Sequence, residues 1–161
     1  MDFDLRGFRD ALGCFPTGVT VVIASDADET PRGMTVNSFT SVSLDPPLVL
    51  WCLNRRSNRR SIFSEAGTYT INLLAAEHET ISSDLARRGS HSLANVALVP
   101  TSLGPPALAQ ALAVFECERE SVRDGGDHDI LIGRVVRFAK RTEGAPLVFF
   151  QGRYGGLAPF R

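Results

Sequence analysis

Between Thr35 and Ser43, six of nine residues are Thr, Ser or Asn. That is too polar for a strand buried on both faces. Met34 to Leu44 reads as one strand, on which Thr35, Asn37, Ser41 and Ser43 share a parity and hence a face. A row of short donors and acceptors suits the edge of a polar planar ring, or a phosphate. The alternative is a solvent-facing strand on which Thr and Ser merely fit β geometry. A second candidate is Asn54-Arg-Arg-Ser-Asn-Arg-Arg-Ser61, a tandem of two NRRS units with four arginines in six residues. Ser57 can cap a helix there, and the free N–H groups of a helix start plus arginines would seat one phosphate. A solvated basic turn is the competing reading, favoured for at least two of the four. The third candidate is His128, in Gly125-Gly-Asp-His-Asp129. No second histidine lies near it, which argues against a metal site. Its ring could polarise or pair with a bound ligand. No GxSxG, HExxH, GxxxxGKS or GxGxxG occurs, so triad hydrolases, zincins, P-loop enzymes and Rossmann dinucleotide sites are not indicated.

The elements that must position these residues follow from periodicity. Phe3, Leu5, Phe8, Leu12 and Phe15 recur near 3.6 and predict an amphipathic helix over 3–15. Val19 to Ala24 reads as a buried strand, Met34 to Leu44 as a second, and Pro47 to Leu53 as a third. Pro46 and Pro47 place the start of that third strand at an edge. A helix over Ser57 to Glu65, a strand over Thr68 to Leu74 and a helix over Glu77 to Arg88 come next. Residues 89–112 are broken by Pro and Gly and read as loop with short pieces. Val114 to Val122 and His128 to Phe138 form a hairpin about Arg123-Asp-Gly-Gly-Asp127. Leu147 to Gln151 is a last strand. About seven short strands with hairpin turns make the chain mainly β, a closed antiparallel barrel with flanking helices. No linker divides the 161 residues, which read as a single domain.

Composition narrows the partners. Seventeen Lys+Arg against eighteen Asp+Glu leave a net charge of -1, so no basic excess points to nucleic acid or an anionic membrane. The longest nearly apolar stretch, Pro46 to Leu53, is far short of the ~20 residues of a membrane helix. Three scattered cysteines, Cys14, Cys52 and Cys117, suit a reducing cytoplasm better than a disulfide framework. His78 and His91 carry no assigned role.

Five segments together resemble the short-chain flavin reductases, the small components of two-component flavin-dependent monooxygenases. They are Phe15-Pro-Thr-Gly-Val-Thr-Val-Val22, Gly33 to Leu48, Cys52-Leu with Arg56-Ser, Gly126-Asp-His128 and Leu147 to Tyr154. The resemblance implies an FMN-binding split barrel of Greek-key antiparallel strands and a homodimer. It implies FMN or FAD as flavin, NADH or NADPH as hydride donor, and a separate oxygenase that receives the reduced flavin. Carried over by position, Thr35, Val36, Asn37 and Ser38 would meet the isoalloxazine edge, with Ser41 beyond them. Asn37 departs from the Ser or Ala frequent there. Cys52, Leu53, Ser57 and Arg59 would hold the ribityl and phosphate end, with Asn72 close by. His128, Arg153 and Tyr154 would form the nicotinamide side, His128 as the catalytic residue. Hydride transfer needs two stacked, oriented rings more than acid–base machinery. The alternatives are a flavin-, deazaflavin- or haem-binding protein of the same fold without reductase activity, and a non-enzymatic adaptor using the arginine turn.

Overall fold

Five consecutive residues, Thr20 to Ala24, are buried. A strand so covered on both faces lies between two cores, and the computed structural model, which describes residues 3–89 and 92–157, places it there. In chain order the elements are α1 (Leu5–Gly13), β1 (Thr17–Gly18), β2 (Thr20–Ser25), β3 (Pro31–Val36), β4 (Thr40–Leu44) and β5 (Pro47–Asn54). There follow α2 (Arg60–Glu65), β6 (Thr68–Leu73), a 3-10 turn (Ala76–His78), α3 (Glu79–Ala86), β7 (Leu98–Val99) and β8 (Ala107–Leu108). The chain closes with β9 (Ala113–Gly125), β10 (His128–Lys140), β11 (Val148–Phe150) and β12 (Arg153–Gly155).

Seven strands form one antiparallel sheet in the order β3-β2-β6-β9-β10-β5-β4. Its two edge strands, β3 and β4, are consecutive in the chain. Val36 from one edge packs in the same cluster as Val49, Trp51 and Leu53 of β5 near the other, so the sheet curls into a barrel. Ser38, between the edges, accepts the Cys52 N–H on Oγ at 2.9 Å and helps hold the seam. This is the mainly β antiparallel barrel that the strand pattern predicts, and it agrees with the split barrel that the resemblance implies.

The second core lies outside the barrel. Val21 and Ile23, on the outer face of β2, meet Leu85 of α3 together with Leu93, Leu108 and Leu147. Glycine matters at one approach in the barrel: a Cβ on Gly133 of β10 would clash with the Tyr69 hydroxyl. The β9–β10 hairpin is longer than expected, with Gly125 paired to His128 and Gly126 turning at φ 76.

Three expectations need correction. Met34 to Leu44 is two strands, because the link through Ser38 crosses from one barrel edge to the other. Thr35, Asn37, Ser41 and Ser43 therefore do not share a face, and Ser41 stands exposed on edge strand β4. The helix after the arginine turn starts at Arg60, and its N-cap residue, Arg59, makes no side-chain cap. The last strand is a hairpin, since Gln151 and Gly152, both at positive φ, turn β11 into β12. His91 lies outside the described residues.

His78 is 5% exposed, and its Nδ1 accepts the Ala75 N–H at 3.2 Å. Burial pushes its pKa below the ordinary 6.5. The unfolded chain then takes up the proton first, so stability should fall as pH drops through and below 6.5. An NMR pH titration of the imidazole signals should show one histidine titrating below that value. Titration of His78 at or above it would contradict the assignment.

Candidate active site

Three concavities adjoin along the side of the barrel covered by α3 and the small β1-β11-β12 sheet. The first, ≈ 640 Å³, is lined by Leu12, Phe15, Asn37, Phe149 and Gln151 among others. The middle one, ≈ 190 Å³, is lined by Val19, Thr35, Asn37, Ala86, Phe149 and Tyr154. The third, ≈ 430 Å³, is lined by Thr35, Arg56, Ser57, Arg59, Ala86 and Arg88 among others. Asn37 and Phe149 belong to the first two, Thr35 and Ala86 to the last two. The result is one groove, mostly apolar and aromatic at one end, where Arg9 and Asp10 also border it, and cationic at the other.

Its middle is built by Ser82, a fully buried residue of α3. The Ser82 carbonyl accepts from Thr35 Oγ1 at 2.7 Å, and its hydroxyl hydrogen-bonds Tyr154 at 2.8 Å. One helix residue thus ties β3 on one wall to β12 on the other. Tyr154 meets Phe149 edge to face, with centroids 5.4 Å apart. Sequence reasoning missed Ser82 and Phe149, because neither spacing nor residue type distinguishes them until the chain is folded.

The cationic end is the NRRSNRRS turn. Asn54 Oδ1 accepts the Arg56 N–H at 2.8 Å, and its carbonyl accepts the Ser57 N–H at 3.0 Å. Ser57 Oγ then accepts the Arg59 N–H at 3.2 Å. Ser57 orders the turn before the helix, in place of the N-cap role expected of it. The four arginines divide by direction. Arg59 is 4% exposed and points inward, donating from Nη1 to the carbonyls of Gly33 at 3.2 Å and Leu85 at 2.8 Å and from Nη2 to that of Arg87. Burial lowers its pKa. Arg55 and Arg60 turn to the β9–β10 hairpin, both reaching Asp129. Arg56 is exposed and lines the groove together with Arg88, which follows the end of α3.

The remaining expected site residues scatter. Val36 and Leu53 are core side chains, so only their backbone can face a ligand. Cys52 is held by Ser38 at the barrel seam. Asn72 is fully buried, donating from Nδ2 to the Val21 carbonyl at 3.0 Å and accepting the Leu108 N–H at 2.8 Å on Oδ1. It fastens β6 to β2 and β8, away from the groove lining. Arg153 is exposed. His128 lies outside the groove lining, opposite Asn54 in the β5–β10 ladder, with Nδ1 2.7 Å from Asp127 Oδ1.

A polar planar ring flanked by aromatic groups, with an anionic tail, fits this groove, and known proteins point the same way. The sequence model of the flavin reductase like domain matches residues 12–158. FMN reductase (NADH) SmoA of Agrobacterium fabrum is 47% identical over 150 residues, covering 93% of this chain and 84% of that protein. The reductase subunit HsaB of a flavin-dependent monooxygenase from Rhodococcus jostii is 38% identical, over 97% of this chain and 80% of its own length. The NADH:FAD oxidoreductase SgcE6 of Streptomyces globisporus, solved with NAD and FAD fragments, superposes with a TM-score of 0.88 at 36% identity, covering 94% of this chain and 92% of that one. With barrel, groove and sequence in agreement over nearly the whole chain, this protein belongs to the flavin reductase family.

Proposed function

We propose that the groove binds flavin and that the protein is an NAD(P)H:flavin oxidoreductase supplying reduced flavin to a separate oxygenase. The observation that carries this reading is the groove itself, aromatic beside Phe149 and Tyr154 and cationic beside Arg56 and Arg88. When bound, flavin supplies the acceptor for a hydride from the reduced nicotinamide. The chain's own residues bind and orient. Arg56 and Arg88 hold the phosphate, with Ser57 shaping the turn between them and the barrel. Thr35 and Asn37, with the backbone of Val36 and Ser38, meet the ring edge, and Phe149 and Tyr154 shield it from water. The names of the relatives support FMN and NADH as substrates, with FAD and NADPH as the alternatives.

A homodimer belongs to the same proposal. No residue of α1 is buried, and Leu5, Phe8, Leu12 and Phe15 are exposed. Val42, Leu44, Val136 and Phe138 on strands of the main sheet are exposed as well. A second copy across a two-fold axis would cover such surface. Sedimentation should give twice the 17.5 kDa chain mass; a single monomeric species would contradict it. Among the described residues no helix is long and apolar enough to cross a membrane. The free cysteines support a cytoplasmic setting.

His128 is assigned to the nicotinamide side. Its ring is held beside Asp127 at the tip of a hairpin that also meets the arginine turn, where the Asp127 carbonyl accepts the Arg55 N–H at 3.0 Å. His128→Ala should raise KM for NADH and lower kcat, leaving flavin Kd nearly unchanged, because ring placement and uniform binding are both lost. Unchanged KM and kcat beside a lowered Tm would make His128 a hairpin residue only.

A further inference from the structure

Asp129 is 3% exposed, a carboxylate on the inward-facing parity of β10 with Leu131 and Gly133. Its Oδ1 accepts from Arg55 Nε at 2.8 Å and its Oδ2 from Arg60 Nε at 2.6 Å. Arg55 Nη2 continues to Asp124 at 2.6 Å. The flanking Arg60 and Arg55 guanidiniums hold the Asp129 carboxyl below the usual carboxylate range. These contacts span about seventy residues of sequence. They join both ends of the arginine turn to the hairpin that carries His128. Neither Arg55 nor Arg60 lines the groove, so the cluster serves the ligand only through the shape of the turn. Between the two anchored arginines lie Arg56 and Ser57, which do line it.

We infer that Asp129 is a positioning residue that locks the phosphate-binding turn and the nicotinamide hairpin into one unit. It presets Arg56 for the flavin phosphate and couples the two sites. The inference rests on the flavin reading above and adds to it a residue that touches neither substrate. A buried carboxylate stripped of its charge frees Arg60 and leaves Arg55 held only by Asp124, and a loop that binds charge by preorganisation then loses affinity without losing a contact. The loss falls on ligands with a phosphate and spares those without. It also reaches NADH, because the hairpin tip loses its Asp129 side-chain tie to the turn and keeps the Arg55–Asp124 pair and the backbone pairing with β5.

The test uses the full chain and compares FMN with riboflavin by fluorescence titration, alongside NADH KM. Asp129→Asn should weaken FMN about tenfold, as removal of a supporting residue commonly does, with riboflavin changed less than about twofold. NADH KM should rise in the same variant. Asp26→Asn is the control, since it breaks a partly buried carboxylate–arginine pair to Arg32 at 2.7 Å outside the groove. It should lower Tm and leave the FMN-to-riboflavin ratio as in the wild type. If Asp129→Asn does not fold, Arg60→Gln decides, because it leaves Asp129 paired to Arg55; it should weaken FMN severalfold more than riboflavin. Equal losses for the two flavins, or a wild-type ratio in the folded variant, would overturn the positioning role. Wild-type protein that binds both flavins equally would instead overturn the phosphate reading on which it rests.

Discussion

Arg59→Ala should destabilise the protein by about 3 kcal/mol, because it leaves two buried carbonyls and one partly buried carbonyl without their charged donor. For a domain of this size that is a fall of roughly 6–12 °C in Tm. The carbonyls belong to Gly33 on β3, and to Leu85 and Arg87 at the end of α3. The side chain therefore joins α3, which forms one wall of the groove, to the barrel. FMN and riboflavin should lose affinity together, in proportion to the unfolded fraction. Thermal melts and flavin titrations on one preparation check this. A wild-type Tm beside a selective loss of FMN would show that the guanidinium holds the phosphate after all.

The second large effect belongs to the other face of the turn. Arg56→Ala combined with Arg88→Ala should weaken FMN roughly ten- to a hundred-fold, since each charge-assisted contact is worth ~1.5–3 kcal/mol and their solvent exposure limits the sum. Riboflavin lacks the phosphate and should bind as before. Both side chains are exposed, so Tm should stay near the wild-type value. FMN affinity should also fall as salt rises in the wild type and much less so in the double variant. Equal affinities of the double variant and the wild type for FMN would remove the cationic end from the account.

The contrast between these two predictions shows what the sequence could and could not carry. Runs of Val, Ile and Leu located β2 and β5, alternation located β6 and the Gly-Gly turn located the β9–β10 hairpin, because burial and turn chemistry leave local marks. The arginine turn was visible as a charge cluster next to an apolar strand. Which way each guanidinium points was not visible. Arg59 and Arg60 are adjacent, yet one reaches backward to α3 and the other across to β10, and both partners are distant in sequence. Asn72 sits among apolar residues on a strand and reads as a ligand group until its partners, Val21 and Leu108, are seen. The break at Ser38 was hidden for a similar reason. The Thr35–Ser43 run keeps strand-like composition throughout, and it is divided where its partner changes from β2 to β5. Ser82 and Asp129 organise the groove and the turn from behind, and nothing local marks such residues.

On this reading the groove holds flavin where a reduced nicotinamide can deliver a hydride to it. Anaerobic mixing of FMN-loaded protein with one equivalent of NADH, followed by absorbance, tests this most directly. The oxidised-flavin absorbance should be lost within a single turnover, with one NADH consumed per flavin. The loss should be slower when the protein is Arg56→Ala/Arg88→Ala at the same FMN concentration. Oxidised-flavin absorbance that persists after NADH addition, on protein shown to have bound the FMN, would contradict it.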